Sequence, residues 1–71
     1  MVKEISVYYA DDGLNMAAVF LDLKTEEYYI EYKNTSGTVF FVEHFPGKSI
    51  YFVEDAAENW VLGIKELGQT F

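Results

Sequence analysis

For some fifty residues the chain roughly alternates apolar and polar letters, and from Val53 the apolar ones recur every three or four. Alternation is the period of a β-strand, whose neighbouring side chains point to opposite faces. Residues 4–9 (EISVYY) set Ile5, Val7 and Tyr9 against Ser6 and Tyr8, and ADDG supplies turn residues. In NMAAVFLDL, Ala17, Val19, Leu21 and Leu23 share one face and Met16, Ala18 and Phe20 the other. Both faces are apolar, which predicts an interior strand covered twice. EEYYIEY carries Tyr28, Ile30 and Tyr32 against Glu27, Tyr29, Glu31 and Lys33, a half-exposed pattern. NTSG at 34–37 reads as a hairpin loop in which Gly37 takes positive φ. TVFFVEHF places Phe40 and Val42 opposite Val39, Phe41 and Phe45, again apolar on two sides. Pro46-Gly47 then breaks the ladder, because proline has no N–H to donate. KSIYFV is expected to form a short fifth strand or an extended lead-in.

Val53, Ala57, Trp60, Ile64 and Leu67 follow a 4,3,4,3 spacing and fall on one helical stripe, widened by Ala56 and Val61. Glu54, Asp55 and Glu58 stand toward the N-terminal end of this helix and Lys65 toward its C-terminal end, as the macrodipole favours. Gly68 is the expected residue just past the end. Gly63 falls inside the stripe, where glycine costs about 1 kcal/mol against alanine, so close approach by another group is expected there. Leu62 lies off the stripe, where a partner would cover it.

The predicted architecture is a single α+β domain over residues 1–71: an antiparallel sheet of four or five strands followed by one amphipathic helix, ββββα. Four strands spaced about 4.8 Å apart make a sheet nearly 20 Å across, whereas one helix is about 10 Å wide. The helix therefore covers part of one face, and the doubly apolar strands need a second layer. A second copy related by a two-fold axis is the simplest source. The residues expected at that interface are Tyr8, Tyr28 and Phe41 from the strands and Trp60, Leu62 and Gly63 from the helix.

Composition sharpens the picture. At 71 residues the chain is near the lower limit for independent folding, and with no cysteine neither disulfides nor thiolate metal sites can staple it. Apolar residues make up 51% and aromatics 18%, so large aromatic side chains are the available core material. The longest apolar run, Met16 to Leu21, is too short to span a bilayer, and the first residues lack the pattern of a signal peptide. A cytoplasmic protein without membrane partners is expected. Net charge is −7, all five cations are isolated lysines, and arginine is absent. Duplex DNA and anionic membranes are disfavoured as ligands, since phosphate binding draws on clustered cations.

Candidate chemistry is sparse. Tyr9-Ala10-Asp11-Asp12 resembles the metal-binding signature of reverse-transcriptase palm domains, but that chemistry needs a further carboxylate and a polymerase body. Asp11 and Asp12 are read as turn caps. His44 is the lone histidine, with no carboxylate at ligand spacing, and reads as a rim residue. Asn34-Thr35-Ser36 matches a glycosylation acceptor and reads as loop. Neither a phosphate loop nor a nucleophile motif is present, so no enzyme activity, cofactor or metal is expected. Tyr8, Tyr28, Tyr29, Tyr32, Phe40, Phe41 and Tyr51 are expected on strands, some on the face away from the helix. Such aromatics either pack between subunits or stack single-stranded bases.

FPGKSIYFVEDAAENW after four strands resembles the Whirly-type fold of the positive-cofactor-four family of dimeric single-stranded-DNA binders, with Pro46, Gly47, Lys48, Ile50 and Trp60 at the matching positions. That resemblance implies a dimer; the family's basic strand residues are missing here. EDAAENWVLGI is similar to stretches in small cyanobacterial-phage proteins, which implies a phage origin and a bacterial host cytoplasm. The expected function is a non-enzymatic, homodimeric module that binds another protein. Single-stranded nucleic-acid binding on a Whirly-like fold and acidic mimicry of DNA are the alternatives.

Overall fold

The computed structural model describes residues 1–10, 15–34 and 36–63. Four strands, β1 (Val2–Tyr9), β2 (Met16–Asp22), β3 (Glu27–Lys33) and β4 (Val39–Phe45), precede one helix, α1 (Ile50–Val61). The strands form one antiparallel sheet in the order β1-β2-β3-β4, so each pairs with its sequence neighbour and the fold is α+β, ββββα. The turns follow from local chemistry. Asp22 Oδ1 accepts from the Lys24 and Thr25 amides at 2.9 and 3.4 Å, and Asn34 Oδ1 accepts from the Ser36 and Thr38 amides, both at 3.1 Å. These are the side-chain turns that Asp and Asn favour.

Directly opposed residues share a face, and the register therefore sorts the sheet. Ser6, Tyr8, Ala17, Val19, Tyr28, Ile30, Tyr32, Phe41, Glu43 and Phe45 lie on the helix side; Val7, Tyr9, Met16, Ala18, Phe20, Tyr29, Glu31, Lys33, Val42 and His44 lie on the open side. The simple alternation expected for β4 is corrected by one residue. Lys33 opposes Val39 while Tyr32 opposes Phe41, so Phe40 is extra and Val39 joins Val42 on the open side rather than Phe41. A similar irregularity makes Ile5 the extra residue of β1.

β2 is interior, as its two apolar faces predict: Ala17, Ala18 and Val19 are all fully buried. β4 has the same two-sided apolar pattern yet stands at the sheet edge, where Val39, Phe40, Phe41 and Val42 are each 37–46% exposed.

The helix begins earlier than its periodicity suggests. Ser49 is the N-cap, its hydroxyl accepting from the Phe52 amide at 3.3 Å, so Ile50, Tyr51 and Phe52 form the first turn. No fifth strand forms among the described residues, and Tyr51 is helical instead of extended. Phe52 sits edge-on to Phe45 at 6.0 Å, which ties this turn to the end of β4. The earlier start also moves the acids: the first turn contains none, and Glu54 and Asp55 bond to Ser6 and Asn59 instead of facing the helix terminus.

Gly63 stands past the helix rather than in it. Leu62 is the C-cap, and Gly63, at φ +80°, donates its amide to the Trp60 carbonyl at 3.0 Å. That bond is one half of a Schellman ending, which needs the left-handed conformation glycine adopts freely. Among the described residues a Cβ built there would meet nothing within 4 Å, so no close neighbour among them explains this glycine. Ile64, Lys65, Leu67 and Gly68 lie outside the described residues.

Val53, Ala56 and Ala57 turn into the sheet and are buried against Ala17, Val19, Ile30, Tyr32 and Phe45, with Trp60 and Val61 alongside. The stripe read from the sequence is thus the buried one over its described part. Among the described residues the helix lies over β1, β2 and β3, and the flank along β4 is largely open.

Candidate interaction surface

Tyr32 organises the uncovered flank. Its ring is fully buried, and its hydroxyl donates to Glu43 Oε1 at 2.8 Å across the β3–β4 pair. Trp60 meets that ring edge-on at 4.7 Å, and Phe41 lies against it at 5.9 Å. Phe40, displaced by the irregularity in β4, reaches Trp60 at 6.1 Å. Offset and edge-on geometries of this kind add roughly 1 kcal/mol per pair to simple area burial. Burial and the hydrogen bond to Glu43 push the Tyr32 hydroxyl far above the ordinary tyrosine range.

The six residues expected at an interface divide into two groups. Phe41 and Trp60 both touch Tyr32, and Leu62 and Gly63 follow Trp60 at the helix end, both exposed. Tyr8 and Tyr28 instead pack, partly buried, against the core beneath the helix. Desolvation, with Glu54 and Glu58 nearby, raises the Tyr8 hydroxyl. Leu62 is 57% exposed, as an off-stripe residue should be.

The open face carries a feature that sequence reading missed. Phe20, Tyr29 and His44 are direct cross-strand neighbours on β2, β3 and β4. Phe20 and Tyr29 stack at 5.3 Å and 13°, and Tyr29 and His44 follow at 5.4 Å and 37°. His44 is therefore one end of an aromatic row, exposed as a rim residue should be. Alternation already placed Phe20 and Tyr29 each on one face of its strand; the missing signal was register, which the Asp22 turn sets. Lys33 Nζ lies 5.9 Å from the Phe20 ring and 3.8 Å from Glu31 Oε1. Glu4 opposes Phe20, Glu27 opposes Asp22, and Glu31 opposes Ala18, so carboxylates border the row.

Among the described residues, no group of three His, Asp or Glu side chains is placed to hold a metal ion, and no helix is long and apolar enough to cross a membrane. Asp11 and Asp12 lie outside the described residues. No family model, curated protein or solved structure matches this chain.

Proposed function

We propose that the chain is a small, acidic, non-enzymatic protein-binding module of the cytoplasm that acts as a homodimer. The observation that carries this reading is the run Val39–Val42, four consecutive apolar residues each more than a third exposed on an edge strand, beside Trp60 and Leu62. Soluble chains seldom leave such a strip uncovered, because an apolar edge invites pairing and aggregation. The test is the mass in solution, by sedimentation and light scattering over a wide concentration range. Twice 8.2 kDa is expected. A monomer at every concentration, stable and soluble, would overturn the reading.

A second reading, single-stranded nucleic-acid binding on a Whirly-like fold, is favoured by the row Phe20–Tyr29–His44, since a flat aromatic surface on a sheet can stack bases. The carboxylates around that row and the net charge of −7 oppose it. An electrophoretic shift of a single-stranded oligonucleotide at low salt, lost as salt rises, would establish it. DNA mimicry has less support, for the described acids are spread over the open face, the helix side of β4, the β2–β3 turn and the helix.

A further inference from the structure

Resting on the dimer reading above, we propose that the second copy joins along β4, strand to antiparallel strand, so that two four-stranded sheets continue as one sheet of eight. Three observations select this edge and this occupant.

The first is the backbone. Among the described residues β4 pairs only with β3, so its outer side presents a ladder of donors and acceptors. Beyond the irregularity at Phe40, residues Phe41–Phe45 keep regular register with β3. Each edge strand carries one irregularity, at Ile5 in β1 and at Phe40 in β4, and charge separates them: exposed Lys3 and Glu4 precede Ile5, whereas Val39 and Phe41 flank Phe40. Charged side chains on an edge strand are a usual means by which it refuses a partner.

The second is charge. Two chains of −7 repel, so a copy can be met only where charge is missing. Asn34–Val42 contains no charged side chain. With the two-fold axis at Val42, Glu43 faces Phe41 of the other copy, both on the helix side of the sheet. This register keeps the two Glu43 carboxylates apart, and each already accepts from its own Tyr32. Such an edge needs an uncharged strand rich in valine and phenylalanine, and the chain supplies that strand itself.

The third is the uncovered flank. Because α1 lies over β1–β3, the Phe40–Phe41–Trp60 corner has no helix above it among the described residues. Pairing along β4 brings two such corners together in the trough between the two helices, where each covers the other.

The experiment uses the full chain. Sedimentation equilibrium compares wild type with Val42→Glu, a half-exposed open-face position, and with Val2→Glu on the β1 edge as control. Val42→Glu sets two carboxylates at the seam and is expected to weaken the dimer by about tenfold or more, whereas Val2→Glu leaves it unchanged. Independently of any variant, a mixture of isotope-labelled and unlabelled wild-type chains is expected to give intermolecular nuclear Overhauser contacts between α-protons of β4. A wild-type dimer that survives Val42→Glu, or whose intermolecular contacts map to the open face or the helix, overturns the edge assignment and leaves the dimer standing. A wild-type monomer overturns both. If Val42→Glu loses its far-ultraviolet circular dichroism, the Overhauser contacts decide alone.

Discussion

Tyr32 is the residue on which most of the structure converges. It is fully buried, touches Phe41 and Trp60, and its hydroxyl serves Glu43. Removing only that hydroxyl, Tyr32→Phe, leaves a part-buried carboxylate without this donor and is expected to cost about 2 kcal/mol in urea unfolding. The same group makes the fold sensitive to alkali. An unfolded tyrosine ionises near 10, whereas burial holds folded Tyr32 well above that value. The folded state therefore keeps a proton that the unfolded state gives up. Stability is whole below about pH 10 and falls as pH climbs past the unfolded value toward the folded one. Urea midpoints across that range should decline for wild type and more gently for Tyr32→Phe. Some slope remains in the variant, because burial also raises Tyr8 and Tyr29.

At the scale of the element, the helix ends make the sharpest prediction. Within a helix, replacing glycine by alanine stabilises by about 1 kcal/mol; at a positive-φ C′ position it destabilises by a similar amount. Gly63 is at φ +80°, so Gly63→Ala should lower the thermal midpoint, and a rise would return Gly63 to the helix interior. At the other end, Ser49→Ala should cost about 1 kcal/mol through the lost cap. Ala57→Leu should cost about 1–3 kcal/mol, because the helix meets the sheet through small, fully buried side chains. Strand and helix interiors were legible in the sequence because period 2 and period 3.6 are carried by every residue of an element. Boundaries were not, because they rest on single groups. Ile50-Tyr51-Phe52 has strand-forming letters, and only the Ser49 hydroxyl bonded to the Phe52 amide reveals a helical turn. Alternation likewise cannot show where one residue is extra, which is why Val39 changes face beside Phe40. Of the candidate surface, Phe41 and Leu62 were readable as apolar residues in excess of what one helix covers, and Trp60 as part of the helix stripe itself. The row Phe20–Tyr29–His44 was hidden because it exists only between strands.

For the whole molecule, association and salt separate the competing functions. A dimer stabilised by mass action has a thermal midpoint that rises with protein concentration, which a dilution series in calorimetry measures. Added salt screens the repulsion between two chains of −7 and should tighten the dimer, whereas nucleic-acid binding would weaken under the same titration. The two borders of the sheet are unequal, with Lys3 and Glu4 charging one and apolar Val39–Val42 exposed along the other. A building block with one usable border is monovalent: it can be capped but not chained. Scattered light should therefore level off at pairs. Deleting Ile5 while neutralising Lys3 and Glu4 would open the second border, and a harmless pair-former would become the repeat unit of a fibre.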